Sequence, residues 1–220
     1  MQTNLRIVTL DGPAGVGKTT LAKRVAQELS IAYLDTGAMF RIFGWKFGAD
    51  APNMSDDELA AHIAKYTFTL SGIGFDSVLS VNGEPVGDEI RTEEVAALAS
   101  AVAKLPVVRE ALKQVQRAIG TQTSLVAEGR DMGSVVFPTA KYKFFLDASA
   151  EERGMRRCKQ LEEMGQPAEL KVIIKQIEER DKQDRTRKIA PLVAAPDAHT
   201  IDTTKLDIDG VFKAIMSYFD

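Results

Sequence analysis

The stretch Gly12-Pro13-Ala14-Gly15-Val16-Gly17-Lys18-Thr19 constrains this chain more than any other, because it fits the pattern G-x-x-x-x-G-K-[S/T]. The apolar run Leu5-Arg6-Ile7-Val8-Thr9-Leu10 precedes it, and Leu21, Val25 and Leu29 follow at four-residue spacing. Strand, loop and helix are the context in which such a loop wraps an anion. Its glycines let backbone N–H groups turn inward, and the new helix presents its positive end to the same place. Lys18 is placed to reach β- and γ-phosphates and the Thr19 hydroxyl to hold Mg²⁺, so the loop predicts a bound nucleoside triphosphate. It does not say what receives the phosphate.

Composition narrows the partner. The chain has 220 residues, 45% of them hydrophobic and 27% charged, which suits one globular domain with a full core. The net charge of −3 supplies no global positive field for nucleic acid or an anionic membrane, so an anion site has to be a local cluster. A lone cysteine, Cys158, excludes an internal disulfide framework. The opening residues carry no basic segment followed by an apolar one, and no stretch approaches a membrane span, so a cytoplasmic protein is expected.

Along the chain, strands alternate with helices. Ala32–Asp35 reads as a strand, and Thr36–Arg41 as a turn opening a helix through Met39, Ile42, Phe43 and Phe47. Ser55-Asp56-Asp57-Glu58 reads as a capping box. Tyr66–Leu70 and Ser77–Val81 then alternate as antiparallel strands, and Asn82-Gly83 is a type I′ hairpin signal before Glu84-Pro85-Val86. Helices are expected from Glu93 to about 105, from Pro106 to about 119 and from a second capping box at Ser149–Glu152 to about 164, where Gly165-Gln166-Pro167 breaks it before another long polar helix runs to about 188. Strands are expected at Ser124–Glu128, Tyr142–Asp147 and His199–Asp202, with a last helix over Ile208–Phe219. Such alternation predicts an α/β fold whose parallel sheet binds ligands beyond its strand C-termini. The loops Gly12–Thr19, Asp35–Arg41 and Glu128–Asp131 are expected there.

Phosphoryl transfer asks for positive charge around the moving group. The candidates are Arg41, Arg109, Arg130, Arg153, Arg156, Arg157, Arg180, Arg185 and Arg187. Arg180, Asp184 and Arg187 share one helical face at i, i+4 and i+7, and Arg153, Arg156 and Arg157 one side of the preceding helix. Between Glu151 and Lys188, 11 Lys/Arg mix with 9 Asp/Glu, which disfavours a nucleic-acid patch. The two helices read as a lid that excludes water over the triphosphate. Glu128 has two readings, orienting Mg²⁺ or its water, or capping local backbone N–H groups. His62 and His199 are read as structural or exposed.

On Asp11–Lys18, Leu34–Ala38, Ile90–Val95, Val108–Leu112, Gly129–Pro138, Phe145–Ala148, Glu179–Asp181 and Ala190–Leu192, the chain resembles the bacterial cytidylate kinases, which are nucleoside monophosphate kinases. The block Gly-Arg-Asp-Met-Gly…Val-Val-Phe-Pro at 129–138 is far more specific than the phosphate loop. The resemblance implies a three-layer α/β/α P-loop fold with a parallel five-stranded core sheet, a helical lid and a small antiparallel three-stranded insert. It divides a single domain into a core at about 1–35, 92–150 and 189–220, a substrate region at about 36–91 with the insert at about 65–90, and a lid at about 151–188. It implies transfer of the ATP γ-phosphoryl group to CMP or dCMP, with Mg²⁺, by a monomer.

By resemblance, Gly12, Pro13, Ala14, Gly15, Val16, Gly17, Lys18, Thr19, Thr20 and Arg157 bind the donor. Arg41 and Arg130 grip the acceptor phosphate, and Ser100, Arg109 and Asp131 read the cytosine edge. Arg180 and Asp184 hold the ribose, and Arg187 sits on the acceptor side. Lys18, Arg130, Asp131 and Arg187 form the catalytic group. Thr36 stands where serine is usual and keeps a hydroxyl. Phe40 stands where tyrosine is common, and Glu128 where aspartate is also found. Two other readings stay open on the residues: a P-loop kinase for another acceptor, such as thymidylate or shikimate, and a nucleotide-dependent switch. The insert and the 129–138 block argue against the first.

Overall fold

The computed structural model describes residues 5–219. The expectation about the opening residues lies in part outside them. The strands are β1 (Ile7–Asp11), β2 (Ala32–Asp35), β3 (Phe68–Ser71), β4 (Val78–Val81), β5 (Glu84–Pro85), β6 (Leu125–Gly129), β7 (Tyr142–Asp147) and β8 (His199–Asp202). The helices are α1 (Lys18–Glu28), α2 (Thr36–Phe47), α3 (Asp56–Ile63), α4 (Glu93–Val102), α5 (Pro106–Gly120), α6 (Ala150–Glu163), α7 (Leu170–Thr186) and α8 (Ile208–Met216). Five strands form one sheet in the order β2-β6-β1-β7-β8, and β3-β4-β5 form a second. The paired registers of the first are parallel and those of the second antiparallel, as expected of the α/β fold with its insert. Among the described residues no helix is long and apolar enough to cross a membrane.

The chain divides into two compact units, one made of the residues up to Ile7 with Ala26–Glu128, the other of Val8–Val25 with Gly129 onward. In the first, β2 pairs with β6 in a register that sets Asp35 opposite Glu128 at the strand ends. Every residue of β6 is buried, which suits a strand covered on both faces. Gly44 lets α2 and α4 approach closely: a Cβ there would lie 2.6 Å from the Ala99 nitrogen. The ring of Phe43 meets Phe47 at 4.9 Å, Phe68 at 5.5 Å and Tyr66 at 5.8 Å, so α2 anchors the insert through aromatic packing. Asn82 and Gly83 both have positive φ, at 52° and 86°, as a type I′ turn requires. The Asn82 side chain accepts from the Thr67 N–H and donates to the Lys65 carbonyl. At α3 the reciprocal capping box of Ser55 and Glu58 is complete.

In the second unit β1 pairs with β7, and β7 with β8. Val8, Thr9 and Leu10 are all fully buried. Helices α1 and α8 are held by an Arg24–Asp209 ion pair, with the Arg24 guanidinium over the Phe212 ring. Gly154 of α6 lies against Ile174 of α7 so closely that a Cβ would come within 2.6 Å of it. The second capping box keeps only one arm: the Ser149 hydroxyl accepts from the Glu152 N–H, whereas the Glu152 carboxylate accepts from Arg156. A π-helical turn over Met132–Val136 has no signal in the sequence.

Candidate active site

The phosphate loop takes the shape its glycines permit. Gly15 and Gly17 adopt φ of 83° and 87°, a region that side chains with a Cβ rarely occupy. Gly12 lies against β7: a Cβ there would fall 2.1 Å from the Leu146 carbonyl oxygen. Lys18 opens α1, is buried, and donates from Nζ to the Pro13 carbonyl at 2.7 Å, so the ammonium folds back across its own loop. Thr19 and Thr20 are exposed in the first turn of that helix.

The segment after β6 forms the next layer in the same unit. Asp11, the last residue of β1, accepts the Met132 N–H at 2.8 Å and the Gly133 N–H at 2.7 Å. Burial pushes its carboxyl up from the ordinary value to about 6. The two amide bonds oppose this, the Asp131 charge adds to it, and Lys18 lowers it. The Asp131 carbonyl accepts from both Val135 and Val136 at 2.9 and 3.1 Å, which closes the π-turn. Arg130 donates from Nε to Asp184 at 2.9 Å. Arg187 donates to Asp131 at 3.4 Å and to the Ala190 carbonyl at 2.6 Å, and stands 3.7 Å from Asp184. Arg130, Asp131, Asp184 and Arg187 therefore form one buried or half-buried network. Burial by itself would raise the Asp184 carboxyl; Arg130, Arg187 and Arg180 override it and hold the group below its usual range. Helix α7 ends at Thr186, so Arg187 lies one residue past the helical face predicted for it and still reaches Asp184.

The three α6 arginines do not share a task. Arg153 is buried and donates from Nε to the Ala148 carbonyl at 3.0 Å, from Nη1 to the Ala14 carbonyl at 3.1 Å, and from both Nη atoms to Asp181 at 3.1 and 2.5 Å. Arg156 turns to Thr203, and Arg157 donates to Gln160. Helical spacing put all three on one side, but their partners come from three different segments. Arg185 pairs with Asp147 at 3.0 Å.

In the other unit, Thr36 is buried and donates its hydroxyl to the Glu128 carbonyl at 2.7 Å. Arg41 donates to the carbonyls of Ile90 and Thr92 at 3.0 and 3.2 Å. The Ser100 hydroxyl donates to the Ala96 carbonyl one turn back. Arg109 is buried, donates to the Ala103 carbonyl at 3.2 Å, and stacks 5.4 Å from the Phe40 ring centroid. The ring at position 40 thus keeps a cation–π contact that needs no hydroxyl. Glu128 is buried at the end of β6. Arg91, for which the sequence reading assigned no role, reaches Asp35 at 3.4 Å. His62 packs edge-on to Phe47, and His199 lies against Tyr218 at 3.9 Å.

Asp11 and Asp181 had no assigned role; Arg153 was among the candidate arginines, but its carboxylate partner was not foreseen. Asp11 stood next to the motif, but nothing in a linear pattern links it to amides 121 and 122 residues away.

A parallel strand, a glycine loop and a helix headed by a buried lysine define a P-loop nucleotide-binding protein of the α/β class. Residues 8–220 match the family model for cytidylate kinase. A cytidylate kinase of Oleidesulfovibrio alaskensis is 61% identical over 211 residues, covering 96% of each chain. One from Nitratidesulfovibrio vulgaris is 58% identical over 97% of this chain and 92% of its own, and one from Klebsiella pneumoniae 44% identical over 99% and 96%. A shikimate kinase structure from Bacteroides thetaiotaomicron aligns over 97% of this chain and 98% of its own, with TM-score 0.50 at 13% identity, a likeness of fold alone. The chain belongs to the cytidylate kinase family, and with it to the phosphotransferases that use a nucleotide phosphate donor.

Proposed function

We propose that this protein transfers the γ-phosphoryl group of ATP to CMP or dCMP, yielding CDP or dCDP and ADP. The observation that carries this reading is full-length identity of up to 61% with proteins named cytidylate kinase, on a chain that keeps the whole phosphate loop. Residues Gly12–Thr20 and Arg157 are assigned to the donor. The loop amides and the Lys18 ammonium would hold its phosphates, and Lys18 would stabilise the charge that builds on the moving group.

Mg²⁺ would supply charge neutralisation on the donor phosphates. The Thr19 hydroxyl suits it, because Mg²⁺ keeps several waters and phosphate oxygens and needs few protein ligands. Among the described residues no group of three or more His, Cys, Asp or Glu is gathered, and a nucleotide-borne Mg²⁺ asks for none. Thr36, Arg41, Ser100, Arg109, Arg130, Asp131, Arg180, Asp184 and Arg187 are assigned to the acceptor. Arg41 and Arg130 would take its phosphate, Arg180 and Asp184 its ribose, and Ser100, Arg109 and Asp131 its base. Arg187 would join Lys18, Arg130 and Asp131 during transfer.

The chemistry of cytosine supports that choice of side chains. Arg109 donates, which suits the acceptors O2 and N3, whereas Ser100 and Asp131 accept, which suits the amino group. We place the reaction in a cytoplasmic monomer that engages neither nucleic acid nor membrane, and the α6–α7 pair acts as its lid. We assign the core, substrate and lid segments the boundaries given above.

An ADP-release assay across CMP, dCMP, UMP, dTMP, AMP and shikimate tests the reading. ADP release that depends on CMP or dCMP supports it. Release with another acceptor only would reassign the substrate, and slow hydrolysis indifferent to every acceptor would point to a nucleotide switch.

A further inference from the structure

We infer that Asp11 is a positioning residue for phosphoryl transfer: its carboxylate clamps the backbone immediately after Arg130 and Asp131. The inference rests on the roles proposed above for those two residues.

Asp11 closes β1 and directly precedes Gly12, so it is rooted in the strand that launches the phosphate loop. Each of its oxygens takes one amide, Oδ1 from Met132 at 2.8 Å and Oδ2 from Gly133 at 2.7 Å. These are the opening donors of the π-turn Met132–Val136, which have no partner within the turn itself. Asp131 sits at φ −145° and ψ 24°, outside both helix and strand conformations. It is held there from two sides. Its carbonyl accepts from Val135 and Val136, and the amide that follows it is taken by Asp11. Arg130 is the next residue back, so the same clamp limits where its guanidinium can go.

Gly133 shows how close the approach is. A Cβ there would lie 2.9 Å from Thr9 Oγ1 and 3.4 Å from Asp11 Oδ2, with the Lys143 stem at 3.3 Å. The charged groups acting on Asp11 are Lys18 at the head of α1 and Asp131 on the clamped loop; the Lys143 stem passes Gly133 while its ammonium turns to Asp197. A carboxylate at such depth is costly, and burial raises its pKa. The two amides alone would be satisfied by any double acceptor. A carboxylate is the side chain that offers one without also presenting a donor.

The test uses the full chain carrying Asp11→Asn. A carboxamide accepts one N–H and turns its NH₂ against the other, at unchanged size. The expected result is a fall in kcat for CMP phosphorylation on the order of 10²-fold, the scale of a small misplacement of reacting groups. Affinity for a fluorescent ATP analogue without acceptor should stay within about twofold, since no residue of Gly12–Thr20 is replaced. The thermal midpoint at neutral pH should change little, because removal of a buried charge offsets the N–H left without an acceptor. Wild-type kcat in the folded variant would overturn the inference. So would a kcat loss matched by equal losses of ATP affinity and thermal midpoint, which is what a purely structural role produces.

Arg130→Ala runs in parallel. If it keeps wild-type kcat while Asp11→Asn loses activity, Asp11 acts elsewhere and the inference falls. A second measurement needs no variant to fold. In the wild-type protein, hydrogen exchange of the Met132 and Gly133 amides should be slowed together, since one buried carboxylate holds both. Amides that exchange at the unprotected rate would sink the clamp. That result stands apart from failure of the functional reading, which would appear as no CMP-dependent ADP release in the wild-type protein.

Discussion

Arg153 grips both carboxylate oxygens of Asp181, at 3.1 and 2.5 Å, and with the same Nη1 reaches the Ala14 carbonyl of the phosphate loop at 3.1 Å. One buried guanidinium therefore ties α6, α7 and the loop together. Removing either partner leaves an uncompensated charge in place. Asp181→Ala should cost about 3 kcal/mol or more, read from urea unfolding, and the same substitution should weaken ATP binding through the loop carbonyl. A midpoint equal to wild type would show that the pair contributes nothing net. Arg153→Lys keeps the charge but not the fork, so it should fall between the two.

Lys18→Ala should lower kcat on the order of 10²- to 10³-fold, as loss of a donor to a developing negative charge does. The circular dichroism spectrum should stay native, since the lysine's bond to Pro13 lies within its own loop. Steady-state kinetics decide it, and activity within a few-fold of wild type would remove Lys18 from the mechanism.

Base choice should follow the polarity of the side chains assigned to it. Uracil reverses the donor and acceptor pattern at N3 and position 4, and each mispaired buried group costs on the order of 1–3 kcal/mol. CMP and dCMP should therefore exceed UMP in kcat/KM by roughly 10²-fold or more. Equal values for UMP and CMP would show that Ser100, Arg109 and Asp131 do not read the base. Ser100→Ala should narrow the gap while leaving kcat for CMP nearly intact, because its hydroxyl bonds the Ala96 carbonyl within its own helix.

One buried and one half-buried carboxylate, Asp11 and Asp184, pull stability in opposite directions with pH. The Asp11 carboxyl is raised from 3.8 to about 6, so between those values the folded chain binds more protons than the unfolded one. Its contribution to stability therefore falls as pH rises through that window, by roughly 3 kcal/mol in all. Asp184 is lowered from 3.8 by Arg130, Arg187 and Arg180 acting against burial, so its contribution is present above 3.8 and is lost below it. Melts from pH 3 to 8 should show that Asp11→Asn flattens the upper window and leaves the acid limb alone. An unchanged slope between about 4 and 6 would mean that Asp11 does not titrate there.

Much of the fold is legible in local pattern. The bounds of β2, β7 and β8, the Ser55–Glu58 box and the Asn82-Gly83 turn follow from rules that span a few residues. Charge–charge choices are less so. Glu152 matched a capping box yet gives its carboxylate to Arg156, because a guanidinium one turn away competes with a backbone N–H. Arg153, Arg156 and Arg157 shared a helical face by spacing, while Ala14, Asp181, Thr203 and Gln160 draw them apart.

What the sequence determined by itself is the vocabulary: a glycine loop that must wrap an anion, a lysine to meet it, and the strand–helix alternation that carries both. Those depend on backbone freedom and periodicity, which are local. Tertiary structure alone decided which charges neutralise one another. Asp11 meets the Met132 and Gly133 amides, and Arg130 meets Asp184 rather than solvent, across separations of 121, 122 and 54 residues. Burial is the physical reason. A charge withdrawn from water must find a partner, and only the folded chain determines which one is within reach.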